Sequence, residues 1–256
     1  MTQTAAVGTA SGISDERSGL RSLILYPIVL LALLGLLFLW LSRADLTETE
    51  LVTLAPGPLL SATLEHLRLS AIATVIVLVI AIPLGILLTR GPMRRWTGAI
   101  MAIANIGQAA PAVGLIVLFA MWMGFGSSAA IVALVVYAML PVLRNTMVGL
   151  DSVDQSLVEA GRGMGMSALS VLWRIELPLA VPLMLAGIRT ALVLVVGTAT
   201  LAAFISAGGL GVAITTGVNL DLPRVLITGS ILVCLLALAV DWLGRVVEHI
   251  ARPRGL

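Results

Sequence analysis

Residues 69–88 read LSAIATVIVLVIAIPLGILL and run straight into Thr89-Arg90-Gly91-Pro92. No charge interrupts the stretch, and its apolar residues cover every side of a helix instead of one stripe. A bilayer core is crossed by about 20 predominantly apolar residues in helical form, so this segment is long enough to span. Outward from it, residues 24–41, 98–123, 129–143, 183–205 and 225–243 are also predominantly apolar, some marginally, with Arg189 and Asp241 the charges within them. Backbone groups cannot stay unpaired in lipid, so such segments are helices or strands of a closed barrel. Barrel strands alternate polar and apolar residues over about ten positions; these runs do not. The expected fold is all-α and integral to the membrane, with about six transmembrane helices.

Composition agrees. The 256-residue chain is 59% hydrophobic and 11% charged, with mean hydropathy +1.11, whereas soluble domains are about 45–50% apolar and about 25% charged. An ordinary soluble enzyme and a disordered chain are both excluded. All fifteen basic residues are arginines. Without a lysine there is no Walker-A lysine, Schiff base or lysine nucleophile, so any ATP must be bound by another chain. The net charge of +2 is small, and no basic cluster is interleaved with aromatics, which argues against a nucleic-acid partner. Cys234 is alone, and His66 and His249 have no companions at metal-ligand spacing; no metal site is expected. Both histidines read as plain surface or interface residues.

The arginines orient the spans. With the N-terminus inside, Arg17, Arg21, Arg90, Arg94, Arg95, Arg144, Arg162, Arg174, Arg189, Arg245, Arg252 and Arg254 fall on the cytoplasmic side, leaving Arg43, Arg68 and Arg224 outside. Both termini are then cytoplasmic. Residues 1–22, rich in Thr, Ser, Gly and Ala, read as a flexible tail. Residues 23–66 read as an N-terminal transmembrane helix and an external loop that turns at Pro56-Gly57-Pro58. Residues 67–246 form the main transmembrane domain, and 247–256 a cytoplasmic tail. Ser42-Arg43-Ala44 fits a signal-peptidase pattern, but its apolar run exceeds a signal core of about 7–15 residues, so an uncleaved anchor is expected.

The long inside loop, residues 144–182, carries the most information. Asp151-Ser152-Val153-Asp154 offers N-cap chemistry. Leu157, Val158, Ala160 and Met164 then recur at helical spacing, broken by Gly161, Gly163 and Gly165. A second short segment, 168–177, is expected to stop at Pro178. Two short helices joined at a glycine-rich bend would present a knob to a partner.

Glu159-Ala160-Gly161-Arg162-Gly163-Met164-Gly165, then nine residues, then Ile175-Glu176-Leu177-Pro178, resembles the EAA loop of ABC importer permeases. That pattern is Glu-Ala-Ala, three residues, Gly, nine residues, Ile-x-Leu-Pro; the departure is Gly161 at the second alanine, which keeps the position small. The resemblance implies a type I-like permease whose ATPase-coupling residues are Glu159, Ala160, Gly161, Arg162, Gly165, Ile175, Leu177 and Pro178. Flanking segments, including Leu140-Pro141-Val142-Leu143-Arg144-Asn145-Thr146, Ala186-Gly187-Ile188-Arg189-Thr190-Ala191 and Val196-Gly197-Thr198-Ala199-Thr200, are similar to permeases of the osmoprotectant family. That family imports glycine betaine, carnitine, choline or related quaternary amines. A methionine or other amino-acid importer is the alternative, and an ATP-independent channel or secondary transporter a more distant one.

The resemblance further implies a non-catalytic subunit of a bacterial inner-membrane complex. Its partners would be two ABC ATPase subunits, which bind ATP and magnesium, a second identical or related permease, and an external solute-binding protein. No cofactor is expected on this chain. For the pathway, polar groups within spans usually face a bundle interior. Asn105, Gln108 and Pro111, at i, i+3 and i+6, and Thr198 and Thr200 are the candidates. Gly208, Gly209 and Gly211 read as a tight turn or close helix contact. Arg189 reads as snorkelling, with Glu159 or Glu176 as possible partners, and Asp241 and Arg245 as an i,i+4 pair.

Overall fold

The computed structural model describes residues 7–251, with side chains from Leu25 onward. Only residues 1–6 of the expected flexible tail, residues 252–256, and the side chains of Arg17 and Arg21 lie outside this description; residues 7–22 are helical and not an irregular tail. The chain divides into two units at Ala44/Asp45. The first is a single helix, α1 (Val7–Ser42), whose segment Leu25–Ser42 is long and apolar enough to cross a membrane.

The second unit opens with α2 (Glu48–Thr53), whose N-cap Thr47 and third residue Glu50 form a capping box. Thr47 N–H donates to Glu50 Oε2 at 2.9 Å and holds that carboxyl below the usual carboxylate range, with Arg224 adding to the effect. Next come α3 (Pro56–Leu88), α4 (Thr97–Ala109), α5 (Ala112–Met123), α6 (Ser127–Asp151), α7 (Gln155–Gly163), α8 (Ala168–Val171), α9 (Leu177–Thr198), α10 (Gly211–Asn219) and α11 (Pro223–Ala251). Residues 42–66 are thus not one external loop. Pro56-Gly57-Pro58 is the first turn of α3, where proline needs no N–H and its fixed φ suits the helix.

Helices α3, α6 and α9 make the centre. Ala73, Val77 and Ala81 of α3 pack with Leu134, Ala138 and Leu143 of α6 and Ala191 and Val195 of α9. Lipid is as apolar as the helix surfaces, so association depends on close packing by small residues. At Gly187 a Cβ would lie 2.5 Å from Asn145 Cβ and 2.7 Å from the Pro141 carbonyl oxygen, so only glycine lets α9 approach α6 this closely. Gly85 beside Thr146 and Gly149 beside Ala180 show that α3 runs parallel to α6 and α9 antiparallel to it. The bundle therefore has a loop end, bearing α7 and α8, and a far end.

The expected third span is broken. Helices α4 and α5 meet at 100° around Ala110-Pro111, where Ala110 takes the extended conformation favoured before proline. The pair still runs from one end of the bundle to the other. Thr97 Oγ1 donates to the Leu88 carbonyl at the loop end (3.0 Å), whereas Ile116 and Ala120 pack with Leu69, Ala129 and Ile205 at the far end. Among the described residues there are five helices able to span, or six with this bent pair counted as one. After α9 the chain continues as a 3-10 helix to Ile205. It turns through Gly208 (φ +83°) and Gly209 (φ +84°), forms the unanticipated α10, and returns along α11. A Cβ on Gly211 would sit 1.9 Å from the Thr200 carbonyl oxygen, so this glycine stretch is both a turn and a close contact.

Candidate functional site

The loop between α6 and α9 is built as a small body of its own. Asp154 caps α7, its carboxylate accepting from the Ser156 N–H at 2.9 Å; that bond holds the carboxyl below its ordinary value. At the other end the helix closes in a Schellman motif. Met166 N–H donates to the Gly161 carbonyl (3.1 Å) and Gly165 N–H to that of Arg162 (2.9 Å), with Gly165 left-handed at φ +83°. Beneath, Val153, Val158 and Val171 form a cluster lined by Met166, Ile175 and Leu179. A Cβ on Gly161 would meet Ile175 Cδ1 at 2.6 Å. Here Ile175 occupies the space that an alanine would use.

Pro178 does not stop a helix. Residues Leu172–Glu176 form a π-helical turn that leads into α9, with Leu177 N–H donating to the Leu172 carbonyl. Pro178 sits in the first turn of α9, and the wider turn relieves the clash its ring would have with the carbonyl four residues back. Leu177 packs on Leu150, Ala180 and Met184. Ile175 and Leu177 therefore fasten the loop to the bundle, while Glu159, Ala160, Arg162, Gly165 and Pro178 are exposed.

Among the exposed residues of the loop runs an apolar stripe, flanked by Glu159 and Arg162. Leu157, Ala160 and Met164 recur at i, i+3 and i+7, with Leu157 46% and Met164 76% exposed; Leu169 and Trp173, at i and i+4, are each 65% exposed. Of these, Leu169 and Trp173 went unremarked in the sequence reading, although large apolar residues in a loop outside the spans were the available signal.

The pathway candidates are not brought together. Asn105 donates to the Met101 carbonyl (2.8 Å), Thr198 to that of Leu194 (2.6 Å) and Thr200 to that of Gly197 (2.8 Å), each bonding back to its own helix. The bend at Ala110-Pro111 removes Pro111 from the face carrying Asn105 and Gln108. None of the five lines either the far-end cavity of about 310 Å³ beside Glu65 and Arg68 or the loop-end cavity of about 170 Å³ beside Arg90 and Arg162.

Two charged or polar residues differ from expectation. Arg189 reaches neither Glu159 nor Glu176; it pairs with Asp241 (2.8 Å) and Glu248 (2.9 Å) on α11. Gly244 makes this possible, since a Cβ there would be 2.7 Å from Arg189 Cγ. The Asp241–Arg245 pair forms as expected, at 2.9 Å. His66 is fully buried, not a surface residue: its Nε2 donates to the Val196 carbonyl at 2.9 Å. Beside it Gly209 N–H donates to Glu65 Oε2 at 3.1 Å.

Residues 81–252 match the family described as binding-protein-dependent transport system inner membrane component. The chain belongs to that family. This permease is 42% identical, over 78% of its length and 91% of the relative's, to the glycine betaine/carnitine/choline transport system permease protein OpuCB of Bacillus subtilis. It is 37% identical to the osmoprotectant import permease protein OsmW of Salmonella typhimurium, over 78% and 94% of the two chains. The permease fold is also that of a chain in the inward-facing MetNI methionine ABC transporter, with TM-score 0.68, 23% identity, 81% of this chain and 100% of that one covered. At that identity the likeness speaks for the fold alone.

Proposed function

We propose that this permease subunit carries osmoprotectants (glycine betaine, carnitine, choline or related quaternary amines) inward through an ATP-driven complex. The observation that carries the reading is the EAA-like loop itself: a self-supporting knob, capped at Asp154 and Gly165, that turns an apolar face outward. The relatives, permeases for glycine betaine, carnitine, choline and other osmoprotectants, supply the substrate class.

In this reading two ATPase subunits bind ATP and magnesium and receive the loops of this chain and of a second permease, identical or related. An external solute-binding protein delivers the solute at the far end, and both termini lie in the cytoplasm of a bacterial cell. Glu159, Ala160, Arg162 and Gly165 meet the ATPase, while Gly161, Ile175, Leu177 and Pro178 hold the loop in shape. ATP-driven closure of the ATPases draws the loops together, and the bundle reopens to the other side. Asn105, Gln108, Pro111, Thr198 and Thr200 remain the proposed pathway residues, reached from the face toward the second permease.

The test is uptake into proteoliposomes holding the assembled complex. Labelled glycine betaine, carnitine or choline should accumulate only with ATP and the binding protein. Accumulation of methionine in their place would overturn the substrate class. Uptake indifferent to ATP would overturn the coupling.

A further inference from the structure

Arg90 follows the last residues of α3, and Glu176 ends the π-helical turn that joins the loop to α9. They are 86 positions apart and meet in a two-pronged ion pair: Arg90 Nη1 donates to Glu176 Oε1 at 3.1 Å, and Nη2 contacts Oε2. The Glu176 side chain is only 6% exposed, that of Arg90 35%. A carboxylate so enclosed needs its partner. Arginine's planar fork sets the direction of the pairing as well as its charge.

The mounts on both sides are firm. Thr97 Oγ1 donates to the Leu88 carbonyl and Thr89 Oγ1 to that of Ile86 (2.8 Å), which pins the turn carrying Arg90. Glu176 sits directly after Ile175, whose side chain belongs to the Val153–Val158–Val171 cluster. The chain itself ties the loop to α6 and α9. The Arg90–Glu176 pair adds a polar tie to α3.

We propose that Arg90 and Glu176 form a strut that makes α3 move with the coupling loop, a positioning pair for transport and not a contact to ATPase or solute. The proposal rests on the ATP-driven reading above. Force applied to α7 passes through the valine cluster to the π-helical turn, and from Glu176 through the guanidinium to the end of α3. All three central helices then follow the loop as one body. Severing the pair leaves α3 tied to the loop end by apolar packing alone, through Ile82 and Ile86 against Leu150, Ala180 and Met184, a contact that can slide where the ion pair cannot.

The experiment uses the full complex in proteoliposomes, comparing wild type with Glu176→Gln, the double variant Arg90→Met/Glu176→Met, and the exchange Arg90→Glu/Glu176→Arg. Complex recovery, ATP hydrolysis stimulated by loaded binding protein, and solute uptake are measured together. Glu176→Gln leaves the Arg90 guanidinium without its carboxylate, which lowers recovery; solute moved per ATP by the complex that is recovered should also fall several-fold. The double apolar variant removes both charges, so recovery should return to the wild-type level while solute per ATP stays low. The exchange should regain part of the ratio. A wild-type ratio in Glu176→Gln or in the double apolar variant overturns the strut. So does a loss of uptake that merely tracks the amount of complex recovered. Wild-type vesicles lacking ATP-driven uptake would refute the transporter reading instead, so the two failures are separable.

Discussion

Replacing Gly165 with alanine tests whether the shape of the loop, and not only its surface, matters. Gly165 sits at φ +83°, and a Cβ there would find nothing within 4 Å. The substitution therefore adds no clash, and its whole cost is conformational. Holding a non-glycine residue in the left-handed region costs about 1–2 kcal/mol, a shift of about 5- to 30-fold in the population of the closed turn. Gly163 supplies the control, because it too faces open space but lies within helical α7, where alanine is favoured by about 0.5–1 kcal/mol. Uptake and binding-protein-stimulated ATP hydrolysis, measured on complexes recovered in equal amount, should fall several-fold for Gly165→Ala. They should fall less for Gly165→Asn, which tolerates this region better, and not at all for Gly163→Ala. Equal behaviour of the two alanine variants would refute the argument that the Schellman turn presents the knob.

Met164→Asp and Trp173→Asp each place a charge on the outward apolar face; co-purification of the ATPase should drop while the thermal unfolding of the permease alone stays near wild type. Gly187→Ala forces a Cβ against Asn145 and Pro141, an overpacking cost of about 1–3 kcal/mol, and should lower the unfolding midpoint in detergent where Gly197→Ala, with open space around it, does not. The Asp154 cap has a sign to check. Its folded pKa lies below the ordinary value, so its contribution is complete above the unfolded pKa of about 3.9 and disappears as pH falls through the lower folded value. Protease resistance of the loop should therefore hold across neutral and mildly acidic pH in wild type, and Asp154→Ala should weaken it throughout that range.

Much of the site was legible in residue order because its signals are local. Glu159 through Gly165, the N-cap at Asp154 and the Asp241–Arg245 pair all act over a turn or two of helix. Pro178 misled, since proline terminates a helix only when it falls past the first turn. A preceding π-helical turn, which has no sequence signature, moved it into that position. Pro111 misled in the other direction: the span containing it was long enough, but the pre-proline backbone at Ala110 bent it by 100°.

The sequence by itself determined the all-helical, lipid-solvated character of the chain, the apolar runs and the loop bearing the EAA-like run. Run length, charge and short motifs are properties of neighbouring residues. Tertiary structure alone decided that His66 is buried against Val196, that Arg189 belongs to Asp241 and Glu248, and that Arg90 holds Glu176. These partners are 130, 59 and 86 positions apart for the pairs His66–Val196, Arg189–Glu248 and Arg90–Glu176. Helices apolar on every side carry no stripe to announce which face meets which neighbour, so packing of small residues made that choice.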